Sequence, residues 1–192
     1  NYGPGAILDF RVPVTGAAVS IVAAGLEQWE KQTELAGASV SDLRRFTEPR
    51  LKEKLGVSYF RLPPVAPDNL GRQNDSSPIP LIGARFPTWL QCTQCDTIKP
   101  FRRWRQDPGD PSRYCSNCSH DLPGNEKAFV VPVRFIVACR NGHLDDFPWA
   151  WWVHYGRGSC GNNNEFRLRS NGAGLAGLIL ECEKCNSRPR SL

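Results

Sequence analysis

Apolar positions along this chain come in short runs separated by Gly, Pro and polar clusters, a pattern that predicts short strands and few helices. Residues 6–10 and 17–24 read as strands, the first entered through the turn Tyr2-Gly-Pro-Gly5. A helix is expected over residues 48–55, because Pro49 falls in its first turn and Gly56 just past its end. Residues 57–62 then read as a strand. Pro63, Pro64, Pro67, Pro78 and Pro80 surround a polar stretch, residues 69–77, that reads as an exposed connection. Further on, residues 129–138 form an apolar strand. Pro148 starts a short helix capped by Asp145 or Asp146, with Trp149, Trp152 and Val153 on one face, a stripe suited to a core or a docking surface. Residues 165–170 and 178–182 complete the strands. The fold class that follows is α+β.

The pattern divides the chain into three pieces: an amino-terminal α+β module over residues 1–84, a segment over 85–126, and a third over 127–192. The apolar run 16–26 is too short to cross a bilayer and has no basic leader before it, so a cytoplasmic protein with no membrane partner is expected. The chain starts at Asn1 and contains no Met, which predicts a fragment or a processed product.

Charge sharpens the division. Residues 1–84 carry nine basic and nine acidic side chains, whereas residues 85–192 carry fifteen and ten, so the whole net charge of +5 lies in the part that holds all eight Cys. A basic, Cys-rich half suits an acidic partner such as nucleic acid, although a solvated surface would look the same at this density.

Cysteine spacing carries the chemistry. Cys92, Cys95, Cys115 and Cys118 form C-x2-C, nineteen residues, C-x2-C, the spacing of a four-thiolate zinc ribbon in which each two-residue gap aims two thiolates at one ion. A disulfide scaffold would be a shorter secreted chain, and a redox C-x-x-C would occur once beside a βαβ unit. Cys139, Cys160, Cys182 and Cys185 make a second set, in which His143 competes with Cys139, since Cys139-Arg-Asn-Gly-His143 brings an imidazole round a glycine turn. Spacing alone leaves that choice open, and a buried Cys139 acting as a small hydrophobe is the plainer alternative. Two structural zinc ions are expected. Between the first two Cys pairs, Lys99, Phe101, Arg102, Arg103, Trp104 and Arg105 interleave cations with aromatics. Arg102, Arg103 and Arg105 are candidate phosphate contacts, while Phe101 and Trp104 suit the small core of a ribbon.

Other matches lead nowhere. Gly172-Ala-Gly174-Leu-Ala-Gly177 spells a dinucleotide fingerprint, but a short strand ending in zinc-type cysteines follows it rather than a helix. Asn74-Asp-Ser76 and Asn117-Cys-Ser119 match a glycosylation pattern that an intracellular thiol-rich chain would not use. No P-loop and no zinc-deaminase signature occurs, so no catalytic residue is assigned. The enzymatic alternative is a His-Asn-His-type metal-dependent nuclease built from Asn141, His143, Asp145, Asp146 and His154. It lacks the His–His or acid–His pair with which such sites open.

Several stretches resemble one known family. These are Tyr2-Gly-Pro-Gly-Ala-Ile-Leu-Asp9, Ala24-Gly-Leu-Glu-Gln-Trp29, residues 50–64, Arg85-Phe-Pro-Thr-Trp-Leu-Gln-Cys-Thr-Gln-Cys95, residues 132–149 with Cys139-Arg-Asn-Gly-His-Leu-Asp-Asp-Phe-Pro-Trp149, and residues 182–192. Together they resemble the amino-terminal region of the DrmB family, the zinc-binding, helicase-associated component of the DISARM anti-phage defence system. The resemblance implies a non-catalytic subunit of a complex, with the helicase DrmA as partner and foreign DNA as target. A pure protein-docking scaffold for the helicase is the alternative. The resemblance transfers no catalytic residue.

Overall fold

The computed structural model describes residues 3–35, 45–62, 82–156, 158, 160–185 and 187–192. The fold is α+β with short strands, few helices and two clusters built on cysteine. The chain divides into two compact units, Asn1–Leu8 with Val22–Ala84, and Asp9–Ile21 with Arg85–Leu192. Strands β1 (Ile7–Arg11), β2 (Ala18–Ala23) and β5 (Gly83–Arg85) form a three-stranded sheet in the order β1-β2-β5. The expected strands at residues 6–10 and 17–24 are the first two of these.

The first unit holds helix α1 (Leu26–Leu35), which the apolar pattern did not predict. Its only buried side chains are Trp29 and Thr33, one turn apart, and the Thr33 hydroxyl donates back to the Trp29 carbonyl at 2.7 Å. A one-sided contact this narrow leaves little periodicity to read. Helix α2 (Pro49–Leu55) forms as expected. Glu48 caps it by accepting from the Leu51 N–H, and Gly56 closes it at φ 65°, the left-handed conformation that glycine adopts without a Cβ penalty. Strands β3 (Arg45–Phe46) and β4 (Phe60–Arg61) pair across a Phe46–Phe60 stack at 5.5 Å, so the strand expected at 57–62 contracts to its centre. The Pro-bounded connection at 69–77 lies outside the described residues, as does Tyr2.

The second unit is organised by a six-stranded sheet in the order β10-β6-β7-β13-β14-β15. Its members are β6 (Trp89–Gln91), β7 (Thr97–Pro100), β10 (Val131–Pro132), β13 (Phe166–Ser170), β14 (Leu178–Glu181) and β15 (Arg190–Ser191). The hairpins β8–β9 (Tyr114–Cys115 and Ala128–Phe129) and β11–β12 (Ile136–Ala138 and Leu144–Asp146) stand beside it. The apolar strand expected over residues 129–138 is therefore three short strands, because the chain changes partner twice, from β8 to β6 to β12. Pro132 has no N–H to offer and accordingly sits on an edge strand. Residues 85–126 and 127–192, distinct pieces in the sequence, thus contribute strands to one sheet.

Two apolar clusters cover this sheet. One gathers Ile98, Val133, Trp149, Val153, Phe166, Leu168, Leu180 and Cys182, and the other Leu90, Cys92, Trp104, Cys115, Ala128 and Val130. Helix α4 (Trp149–His154) buries Trp149 and Val153 in the first, while Trp152 donates its indole N–H to the Ser191 carbonyl at 3.1 Å. Neither Asp145 nor Asp146 caps this helix. Pro148 precedes it, and the Asp146 carboxylate instead accepts from the Thr88 N–H at 2.8 Å and from the Thr88 hydroxyl. These bonds tie β12 to the strand entry at Thr88 and hold the carboxylate there.

Candidate metal centres and the basic surface

The first centre grows from a hairpin. β6 and β7 are joined by the turn Cys92-Thr-Gln-Cys95, closed by the Cys92 N–H donating to the Thr97 carbonyl at 2.9 Å, with Asp96 in the left-handed region at φ 58°. Cys115 ends β8, and Cys118 follows three residues later on helix α3 (Ser116–His120), on the same helical face. The four sulfurs lie within 4.8 Å of one another, with Cys92–Cys118 at 3.7 Å and Cys95–Cys115 at 4.0 Å. A regular tetrahedron of thiolates at the zinc–sulfur distance of about 2.3 Å has edges of about 3.8 Å, so the residues present fit such an ion. Burial pushes the Cys92 thiol up. At Cys95 burial opposes ionisation, but hydrogen bonds from the Thr97 hydroxyl and backbone and from neighbouring thiols outweigh it and bring the thiol down to about 7. Burial raises Cys118, and the surrounding sulfurs raise it further. Four sulfurs this close cannot all carry charge without a cation among them.

The second centre repeats the device. Cys182 and Cys185 follow β14 and precede β15, as Cys92 and Cys95 lie between β6 and β7. In both turns a hydroxyl two residues past the second cysteine lies 3.3 Å from its sulfur, Thr97 at Cys95 and Ser187 at Cys185. Ser187, through its side chain and backbone, lowers the Cys185 thiol to about 6. The remaining donors are His154 and Cys160. His154 Nε2 lies 3.2 Å from Cys160 Sγ, Cys160 Sγ lies 3.7 Å from Cys182 Sγ, and the Asn162 amide donates to Cys182 at 3.3 Å. His154 Nδ1 is 2.7 Å from the Ala150 carbonyl, an acceptor, so this nitrogen carries the proton and leaves Nε2 free to bind a cation. Burial lowers the His154 pKa, yet contacts with Cys182, Ala150 and Cys185 raise it overall. All four donor atoms lie within 4.8 Å of one another.

Cys139 and His143 are not in this group. They face each other at 3.4 Å, exposed on the β11–β12 hairpin, and Cys139 is not the buried hydrophobe that a strand end would make it. The structure therefore brings together Cys92, Cys95, Cys115 and Cys118, and separately Cys160, Cys182 and Cys185, with His154 where Cys139 or His143 was expected. In the sequence His154 stands out only as a member of the nuclease alternative, since the imidazole close to a cysteine in that region is His143. The usable signal is the short helix expected after Pro148, which in the structure ends at His154, six residues before Cys160. All eight cysteines are unpaired thiols. Among the described residues no third group of metal-type donors forms, so Asn141, His143, Asp145, Asp146 and His154 do not converge on one ion.

The arginine cluster lies on the first centre. Phe101–Arg103 is a single 3-10 turn after β7, which sends Trp104 inward, 6% exposed, with its indole N–H on the Lys99 carbonyl at 3.1 Å. Phe101 packs against the same cluster. Arg102, Arg103 and Arg105 point outward and, with Lys99 and Tyr114, line an open cleft of about 370 Å³. The turn thus buries Trp104 while the three arginines stay in water, with the Arg102 guanidinium 5.5 Å from the centre of the Phe101 ring.

A family model described as a domain of unknown function, DUF8724, matches residues 1–192. A curated protein described as DISARM protein DrmB, from Bacillus paralicheniformis, is 41% identical over 143 residues, which are 73% of this chain and 23% of that relative. The chain thus corresponds to less than a quarter of the length of the relative it matches. Among the described residues no helix is long and apolar enough to cross a membrane.

Proposed function

The chain belongs to the DUF8724 family, and from that membership and its likeness to a DrmB protein we propose that it is a component of a DISARM defence system: a non-catalytic, zinc-binding subunit that helps a partner helicase, DrmA, hold foreign DNA in the cytoplasm. The observation that carries this reading is the exposed row of Arg102, Arg103 and Arg105 mounted on a closed four-cysteine centre. Cations fixed on a rigid turn meet phosphates with little desolvation and little lost side-chain freedom.

Zinc fits both donor sets. Cys92, Cys95, Cys115 and Cys118 would hold one ion, and His154, Cys160, Cys182 and Cys185 the other. With four protein donors each, such an ion supplies a cross-link and offers no open position for activating water. The cross-link serves a segment with few apolar residues, since Cys92 and Cys115 are themselves part of the small core.

Metal content, catalytic activity and the salt dependence of binding test the reading. Metal analysis of the chain purified without chelator should return two zinc ions, and the chain should neither hydrolyse ATP nor cut DNA in Mg²⁺ or Mn²⁺. Replacing Arg102, Arg103 and Arg105 together by Ala should flatten the salt dependence of duplex binding by about 2 to 3 units of logarithmic slope, with zinc retained. Unchanged affinity and slope would favour the second reading, a docking scaffold for the helicase. The exposed Val137 and Leu144 on the β11–β12 hairpin suit that role.

A further inference from the structure

Three surface clefts of the second unit lie end to end. The first is the basic cleft of Arg102, Arg103 and Arg105. The second, about 300 Å³, shares Lys99 and Arg103 with it and is closed on the other side by Asn163, Asn164 and Lys184, beside the second metal centre. The third, about 430 Å³, shares Asn163 with the second and is walled by Trp151 and Tyr155. Along this path the surface changes from cationic to aromatic.

The aromatic end is open to solvent. Trp151 is 57% exposed and Tyr155 55%, whereas Trp29, Trp104 and Trp149 are all buried. The two rings meet edge to face at 5.0 Å, and the Arg190 guanidinium lies 4.8 Å from the Tyr155 ring. Helix α4 turns Trp149 and Val153 into the core and leaves Trp151 outside. An open indole face with a neighbouring cation is a stacking platform for a nucleobase, and a base can reach it only when it is not paired in a duplex.

We propose that the three clefts are one nucleic-acid track, in which the phosphates of a single strand follow Arg105, Arg102, Arg103, Lys99 and Lys184 and an unpaired base stacks on Trp151 beside Tyr155. This rests on the DNA-binding reading above and extends it from the first metal centre to the second. Among the described residues Glu165 is the one acidic group in the second cleft, where it pairs with Lys99 at 3.0 Å. The Glu165 side chain is 48% exposed and that of Lys99 23%, so water reaches the carboxylate and a phosphate can compete with it for Lys99.

The test is titration of a fluorescein-labelled twenty-nucleotide oligothymidylate, and of a hairpin duplex, into the metal-loaded chain. The single strand should bind more tightly and quench tryptophan emission. Trp151→Ala should weaken single-strand binding about 5- to 150-fold, the range of one lost base stack, and Trp151→Phe should retain most affinity while losing the quench. Lys184→Ala should reduce the single-strand salt slope by about 0.7, and Glu165→Gln should tighten binding at low salt. If the triple arginine variant loses binding while Trp151→Ala and Lys184→Ala keep it, with zinc content and circular dichroism unchanged, the track ends at the first centre and the proposal fails alone. If the wild-type chain binds neither probe, the DNA-binding reading fails with it. Should Trp151→Ala misfold, the exposed Lys184→Ala variant and the quench in Trp151→Phe decide the matter.

Discussion

Replacing His154 by Ala should remove the second metal ion while leaving the first. Structural zinc sites bind with about 10–16 kcal/mol of apparent free energy, so one donor of four contributes about 2.5–4 kcal/mol if the share is even. That is roughly a 10²- to 10³-fold loss of affinity. His154 is also buried, packed edge to face on Phe166 at a ring separation of 6.1 Å, and truncation leaves a void there. His154→Gln keeps most of the volume while removing the imidazole, and separates the two effects. The assay is competition with a chromophoric zinc chelator, which should extract one ion from the variant at a concentration that leaves both in the wild-type chain. Cys139→Ala and His143→Ala, whose side chains meet only on an exposed hairpin, should match wild type in the same assay. The reasoning is refuted if His154→Gln retains two ions as firmly as wild type, or if His143→Ala releases one.

The remaining predictions concern groups around the centres. Thr97→Val and Ser187→Ala each remove a hydroxyl 3.3 Å from a donor sulfur, and each should lower zinc affinity about 10- to 100-fold at its own centre without unfolding the chain, as read by the same competition. Trp149→Phe should cost less stability in urea than Trp104→Phe. The Trp149 indole N–H is buried with no hydrogen-bond partner among the described residues, whereas that of Trp104 donates to the Lys99 carbonyl at 3.1 Å, a bond worth about 1 kcal/mol. Gly177→Ala should destabilise by about 1–3 kcal/mol, because a Cβ there would lie 2.4 Å from the Gly172 carbonyl oxygen, and thermal melting would show it.

Gly177 also shows what the sequence could and could not tell. It closes a G-x-G-x-x-G string whose sequence context does not fit a dinucleotide site. The structure supplies the physical reason for the glycine, a 3-10 turn at Leu175–Gly177 folded against Gly172. Local rules served where the cause is local. Helix α2 follows from Pro49 and Gly56, and the first metal group from two C-x-x-C turns. They failed where a distant partner decides. The run 129–138 is uniformly apolar, yet three different strands claim its parts, and Asp146 reads as a cap until Thr88 takes its carboxylate. The same holds for His154, since two of its three sulfur neighbours, Cys182 and Cys185, lie in the turn after β14, far along the chain.

The repeated turn explains how so small a core holds two centres in one sheet. One cysteine turn joins β6 to β7 and the other follows β14, and between those pairs lies β13, hydrogen-bonded to β7 on one side and β14 on the other. Phe166 and Leu168 of β13 are buried in the same cluster as Cys182, while Gln91, next to Cys92, donates its side-chain amide to the Leu168 carbonyl at 2.9 Å. The two centres are therefore linked through a single strand rather than standing as independent modules on a tether. Each fixes one pair of strands, and β13 keeps the pairs in register, so an ion at either centre restricts the sheet on which the other is built. The same linkage fixes the arginine turn after β7 relative to Lys184 in the turn after β14, the condition under which charges from two separate centres can act on one ligand.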